Sequence, residues 1–394
     1  MSETDGTEGK PTTIYLDHGA TSWPKPPGVS DAVASALIRH GGNPDRGTYQ
    51  MAVETARAVR SARGGIASLL GVSSAKDLVF QPGCTQAMNL VLAGLLSAGD
   101  RVVVGFSEHN AVARPLHRLA QRGVEVVAVS ATPSGIVDVD EMEREVRRAP
   151  TRAVICQHTS NLSGAIQPVA DLTDIAHEND AIMIVDGAQA GGHIPVDLSA
   201  LGVDAWGCSG HKGLLGPQGI GVLYLREGCE PDELVVGGTG AGMSEEPLQP
   251  KVRPERYEAG TMNTPGILGL GAAAHWLAEH GSAQRGLEEA LTRRLHEGIL
   301  GIDGFTVLGP KPGEPRVPII SAVHESEDTG RIAFLLDRQY GIACRAGLHC
   351  APWAHRAFGT LKSGALRFGI GYGNTSEDID CTLDALRRIV GGLE

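Results

Sequence analysis

At 394 residues, 42% hydrophobic and 20% charged, the chain has the profile of a folded globular protein too long for one hydrophobic core. Its formal net charge of -12 at pH 7 excludes the basic footprint that nucleic acid or an anionic membrane surface requires, and no apolar run is long enough to span a bilayer.

Residues 1–13 are polar, partly acidic and without the apolar stretch of a secretory signal, so a disordered tail is expected there. From Tyr49 to Leu70 an Ala/Arg/Glu-rich segment predicts a helix. Short apolar runs then alternate with helical patterns. Val102-Val103-Val104, Val124 to Val127, Ala153-Val154-Ile155 and Ile182 to Val185 predict strands, and Asn110 to Arg122, Asp140 to Arg148 and Val169 to Glu178 predict the intervening helices. This βαβα order implies an α/β fold, a mostly parallel sheet flanked by helices on both faces. Gly219 to Leu225 reads as a further strand.

Past Pro265 the texture changes. Gly266 to Leu300 is helix-rich, Val317 to Ile320 and Leu366 to Phe368 read as strands, and Ser376 to Val390 reads as a helix opening on a Ser-Glu-Asp cap signal. Two domains are expected, a large one over 14–265 and a smaller α+β one over 266–394, with 14–30 free to pack against the smaller. The boundary falls between Gly260 and Gly281. No repeat, dinucleotide-binding glycine turn or P-loop occurs.

Seven cysteines, Cys84, Cys156, Cys208, Cys229, Cys344, Cys350 and Cys381, are scattered and odd in number, which argues against a disulfide framework and for a reducing cytoplasm. No Cys-x-x-Cys occurs and no metal site is expected.

The chemistry concentrates where a buried strand closes on Asp186, with Gln189 just beyond, and where Ser209-Gly-His-Lys212-Gly follows. Either residue alone fits a strand-end turn or a surface lysine. Together, with Ser209, His211 and Gln189, they suit a protein that holds pyridoxal phosphate (PLP). Lys212 would be its covalent partner and the general base, and Asp186 the partner of its ring nitrogen. A buried carboxylate keeps that nitrogen protonated, and a lowered lysine pKa suits the base role.

Asp186-Gly-Ala-Gln189 and Ser209-Gly-His-Lys212-Gly resemble the cofactor core of class V, fold-type I PLP enzymes, specifically the cysteine desulfurase and selenocysteine lyase group. The likeness extends through Tyr15-Leu-Asp-His-Gly-Ala-Thr-Ser22, Asn43-Pro-Asp-Arg-Gly47, Phe80-Gln-Pro-Gly-Cys-Thr-Gln-Ala87, Ser107-Glu-His-Asn110 and His158-Thr-Ser-Asn161. It continues in Glu258-Ala-Gly-Thr-Met-Asn-Thr-Pro265, Arg345-Ala-Gly-Leu-His-Cys350 and Leu366-Arg367. These blocks run nearly the whole chain in the family's order.

The resemblance implies that Thr85 and the backbone at Cys84 bind the phosphate at a helix start, together with Ser209 and His211. By the same likeness His109 stacks on the cofactor ring and shuttles protons, and Asn161 and Gln189 bond around the ring hydroxyl. Thr261 reaches the phosphate of a neighbouring subunit, implying a homodimer with shared sites. Asn43 and Arg46 line the substrate pocket, and Arg367 clamps the substrate carboxylate bidentately. Cys350 falls where the family places a nucleophile that takes sulfur from L-cysteine, leaving L-alanine and a persulfide for a separate acceptor protein. A nearby His349 or His355 would favour its thiolate. Selenocysteine lyase and PLP-dependent C–S β-lyase chemistry are the alternatives, and a non-catalytic scaffold disagrees with the intact Lys212, Asp186, Arg367 and Cys350. Gln86, Leu348 and His18-Gly19 depart from the family's usual residues, and Leu348 bears on the activation of Cys350. Trp23-Pro-Lys-Pro26 and Gly213-Leu-Leu-Gly-Pro-Gln-Gly219 resemble a bacterial subgroup.

Overall fold

The computed structural model describes residues 13–240 and 245–392. The tail expected over 1–13 lies outside the described residues except for Thr13.

The chain opens with β1 (Ile14–Tyr15), α1 (Val29–Arg39) and α2 (Gln50–Leu69), then alternates. The alternating stretch comprises β2 (Leu78–Gln81), α3 (Cys84–Leu95), β3 (Arg101–Gly105), α4 (Asn110–Ala120), β4 (Glu125–Val129) and α5 (Val139–Arg148), followed by β5 (Ala153–Gln157), α6 (Val169–Glu178), β6 (Ile182–Asp186), the single turn α7 (Leu198–Leu201), β7 (Ala205–Ser209) and β8 (Gly221–Leu225). Seven of these strands form one sheet in the order β2-β8-β7-β6-β5-β3-β4. The run from β7 to β4 is parallel, and β8 lies antiparallel between β7 and β2. The inner strands read as continuous apolar runs because both faces are covered. Val103, Val154, Met183 and Val185 point into one core, while Val102, Val104, Ile155 and Ile184 point into another. This is the period-two alternation of a strand between two helical layers.

Helix starts follow local chemistry. Asp138 accepts from the Glu141 amide at 2.9 Å to cap α5, and His109 does the same for α4 through Nδ1 and the Ala111 amide at 3.0 Å.

A 37-residue helix, α8 (Thr264–Leu300), carries the chain onward. Asn263 caps it and Pro265 sits in its first turn, where the missing N–H costs nothing. Its first half lies against α1 and α2. A Cβ at Gly271 would stand 2.6 Å from the Ala62 Cβ of α2, so only glycine allows that approach. Its second half supplies Leu291, Leu295 and Ile299 to a third core. The remaining elements are β9 (Phe305–Leu308), β10 (Ile319–His324), α9 (Thr329–Tyr340), β11 (Ile342–Ala343), β12 (Arg345–Gly347), α10 (Pro352–Ala357), β13 (Ala365–Gly369) and α11 (Ser376–Val390). An antiparallel sheet in the order β12-β13-β10-β9 packs here. The first and third cores are thus joined by one continuous helix, not by an irregular linker.

The N-terminus returns to this second layer. β1 pairs in parallel with β11, and the Gly369 amide donates to the Leu16 carbonyl at 2.7 Å. That pairing seats Asp17 beside β13, the strand carrying Arg367.

Candidate active site

Parallel register places several candidate residues on one edge of the large sheet. Gln157 of β5 pairs with Asp186 of β6, which pairs with Gly207 of β7. The segments leaving these strand ends carry Asn161, Gln189, Ser209, His211 and Lys212 to the same side, the crevice where ligands settle in such sheets. α3 starts there too. Its Cys84 amide donates to the Ser209 hydroxyl at 3.2 Å, and its N-cap residue, Gly83, has no side chain to cap it. Thr85, in its first turn, is exposed.

Asp186 is buried. Its Oδ1 accepts from the Ala188 amide at 2.9 Å and from the Cys84 thiol at 3.2 Å, while its Oδ2 is shut off from solvent without a partner. The amine of Lys212 makes no hydrogen bond or ion pair among the described residues. Loss of hydration lowers its pKa, with the Asp186 charge opposing the shift. Burial also lowers His109, to about 4, again opposed by Asp186. Its Nδ1 is engaged with the Ala111 amide, so the neutral ring carries its proton on Nε2.

Several residues at this edge of the sheet carry buried atoms without a partner. Besides Asp186 Oδ2 these atoms include Asn161 Oδ1, Gln189 Oε1, His211 Nδ1 and Arg367 Nε. Buried polar atoms without partners are rare in folded proteins. Here they belong to residues that, by the family likeness, contact the cofactor or substrate. A buried acid, two side-chain amides, a hydroxyl and an imidazole beside a helix start, and an amine without a partner form a donor set that would fit PLP.

Arg367 is fully buried. It donates from Nη2 to Asp17 Oδ1 at 3.0 Å and from Nη1 to the Asn161 carbonyl at 3.1 Å, leaving Nε free. Cys350 is exposed on a turn whose successive residues His349 and Cys350 have φ of 49° and 57°, a left-handed conformation that costs non-glycine residues about 1–2 kcal/mol each. Two outside contacts hold the turn. Asn161 Nδ2 donates to the His349 carbonyl at 2.7 Å, and the Asn110 amide donates to the Cys350 carbonyl at 2.8 Å.

Neither neighbouring histidine supplies a positive charge to this thiol. Burial lowers His349 to about 3, and its Nε2 donates to the Ala365 carbonyl at 2.9 Å. His355 is lowered by burial as well, with Nδ1 against the Thr360 hydroxyl at 2.8 Å. Leu348, 39% exposed, adds no polar group.

Asn43, Arg46 and Thr261 stand apart from this crevice. Arg46 donates to the carbonyls of Gly238 and Gly260 at 2.5 and 2.8 Å, and with Asn43 it lines a separate cavity of about 290 Å³. Thr261 is exposed beside it. Among the described residues no hydrogen bond links these three to Lys212, Asp186 or Arg367 within one chain.

Three contributors were not assigned roles from sequence. Asp17 steadies Arg367 across 350 positions of chain, Glu258 ties the Thr261 segment to β2 through the Phe80 amide at 2.6 Å, and the Cys84 side chain reaches Asp186. Asp17 and Glu258 lie inside quoted sequence blocks, but nothing local to them indicates their partners. Among the described residues no helix is long and apolar enough to cross a membrane, and no group of three His, Cys, Asp or Glu side chains stands together as a metal site.

The family model for class-V aminotransferases matches residues 14–381. A probable cysteine desulfurase from Methanothermobacter thermautotrophicus is 34% identical, the match covering 96% of this chain and 95% of that protein. A cysteine desulfurase from Yersinia pseudotuberculosis is 32% identical over 95% and 93% of the two chains. Among solved structures, the apo cysteine desulfurase of Thermococcus onnurineus superposes with a TM-score of 0.90 at 29% identity, covering 97% of this chain and 95% of that one. A cysteine desulfurase from Escherichia coli superposes with 0.86 at 28% identity, covering 97% and 96%.

Proposed function

The chain belongs to the class-V aminotransferase family, and we propose from that premise that it is a PLP-dependent cysteine desulfurase, taking sulfur from L-cysteine onto Cys350. The observation that carries this reading is the conjunction of the unpartnered atoms around Lys212 with an exposed cysteine on a turn anchored to the same crevice.

Asp186, Asn161, Gln189, Ser209, His211, Thr85 and the amine of Lys212 would hold PLP. When bound, the cofactor supplies a sink for the electron pair released at the substrate α-carbon. The chain's own residues do the rest. Arg367, kept rigid by Asp17 and the Asn161 carbonyl, offers its guanidinium to the substrate carboxylate. Lys212, its amine made more available by desolvation, accepts the α-proton. His109 presents an Nε2–H fixed by its cap to Ala111, which orients the donor.

The Cys350 thiolate then attacks the substrate sulfur. The S–S bond forms as the Cβ–S bond breaks, the pair from the broken bond stays on Cβ, and that carbon takes a proton. L-Cysteine and the Cys350 thiol thus become L-alanine and the Cys350 persulfide, with sulfur oxidised to the sulfane level, Cβ reduced, and no outside oxidant. The exposure of Cys350 suits transfer to a separate acceptor protein in the cytoplasm. Thr261, Asn43 and Arg46, exposed or lining their own cavity, suit completion of a neighbouring subunit's site in a homodimer.

The test is product stoichiometry with purified protein, PLP, L-cysteine and a reductant. Alanine equal to sulfide, with little pyruvate, is the expected result. Sulfide matched by pyruvate and ammonia would replace desulfuration with β-elimination.

A further inference from the structure

By the family likeness Cys84 contributes only its backbone. Its side chain is better placed than that. Sγ lies 3.2 Å from Asp186 Oδ1 and 3.2 Å from the Gly207 carbonyl, and the residue is 3% exposed. A thiol has one hydrogen to give, and the charged carboxylate is the stronger of the two acceptors. Burial, then the adjacent Asp186 charge, keep the thiol neutral by raising its pKa well above the ordinary range, so it serves as a donor. It is the opposite of a nucleophilic cysteine.

The position of Sγ is fixed by packing. α3 begins at Cys84 and presses directly on β7. A Cβ at Gly207 would stand 2.6 Å from Met88 Cε and 3.0 Å from Ala87 Cβ, so the glycine is what brings this helix close enough for the contact. Oδ1 of Asp186 therefore carries two donors, the Ala188 amide at 2.9 Å and the Cys84 thiol at 3.2 Å. Oδ2 carries none and is buried.

We propose that Cys84 is a positioning residue for Asp186. Its S–H pins Oδ1 so that Oδ2 alone faces the cofactor, and it draws off part of the carboxylate's charge, which sets how strongly Asp186 competes for the proton it shares with the ring nitrogen. The second half of this inference rests on the PLP reading; the first half does not. A sulfur donor is weaker than a hydroxyl, so Cys84 leaves Asp186 more basic than a serine bonded in its place would.

Two measurements test it. In PLP-loaded protein, the visible band is titrated against pH for wild type, Cys84→Ala and Cys84→Ser. Without the S–H, Asp186 pulls the shared proton toward itself and less positive charge remains near the Lys212 nitrogen. The Cys84→Ala midpoint is expected to rise by about 0.5–1 pH unit, the scale of one hydrogen bond. Superimposable curves for wild type and Cys84→Ala would overturn the tuning role, because a residue that only fills space would not move the midpoint. In protein without PLP, the S–H stretching band assigned by difference against Cys84→Ala is expected at lowered frequency and should move in Asp186→Asn. A band at the free-thiol frequency, unmoved in Asp186→Asn, would overturn the contact itself. A lowered band in protein that takes up no PLP would support the contact while defeating the functional reading.

Discussion

Glu258 and Arg63 make a two-point ion pair at 2.6 and 2.8 Å, with side chains only 7% and 8% exposed. The same carboxylate accepts from the Phe80 amide at 2.6 Å, and the Arg63 guanidinium lies 4.3 Å over the Phe80 ring. Glu258→Ala would leave Arg63 charged, enclosed and unpaired, and Phe80 without its acceptor. Breaking a buried pair from one side costs about 3–5 kcal/mol. Glu258→Gln keeps an acceptor for the Phe80 amide and should lose less. The double change Arg63→Met with Glu258→Leu removes both charges and should recover part of the loss, since such pairs are often replaceable by apolar residues of similar size, while the Phe80 amide and the Leu78 carbonyl stay without these partners. Urea unfolding followed by circular dichroism measures all four proteins. A loss below about 1 kcal/mol for Glu258→Ala, or a double variant no more stable than the single, would refute the claim that a desolvated pair ties the Thr261 segment to β2.

Arg367→Lys keeps the charge but loses the planar fork and its paired contacts to Asp17 and Asn161, so kcat/KM for cysteine should fall about 10–100-fold, mostly through KM. A fall confined to kcat would contradict the clamp. Stability should drop in acid. Burial holds His18 and His349 near 3 and His109 and His158 near 4, all below the ordinary 6.5 of histidine. The unfolded chain binds these protons first, so full stability persists above about pH 6.5 and is lost as pH falls toward 3–4, each histidine adding up to about 1.4 kcal/mol per pH unit. His18→Gln should remove about one proton from that slope, measured by urea unfolding between pH 4 and 7 at about half-unit steps; an unchanged slope would contradict the assignment.

Much of this was legible in sequence, for physical reasons. The inner strands β3, β5 and β6 declare themselves as unbroken apolar runs because both faces are buried, and α6 and α11 match their predicted spans, Val169 to Glu178 and Ser376 to Val390. Other elements were not assigned: the short strands β9 and β12 have patterns that only tertiary packing resolves, whereas α1 and α9 are about as amphipathic as α6 and were open to the same reading. Lys212, Asp186, Asn161, Gln189, Ser209 and His211 lie on one side of the sheet because each closes a strand or follows its end, a position sequence order reveals. Side-chain direction and distant pairing were hidden. Nothing near Cys84 announces that its thiol faces Asp186 across 102 positions, and nothing near Asp17 announces Arg367. The expectation that His349 or His355 would favour the Cys350 thiolate fails for a reason sequence does not carry. Both rings are buried and turned to uncharged partners.

The most direct test asks where the sulfur goes. Protein loaded with PLP is incubated with L-cysteine without reductant, capped with an alkylating reagent, digested and analysed by mass spectrometry. One added sulfur on the peptide carrying Cys350, absent from the other cysteines, with alanine formation collapsing in Cys350→Ala, is the predicted result. An unmodified Cys350, or product formation that continues in Cys350→Ala, would contradict it.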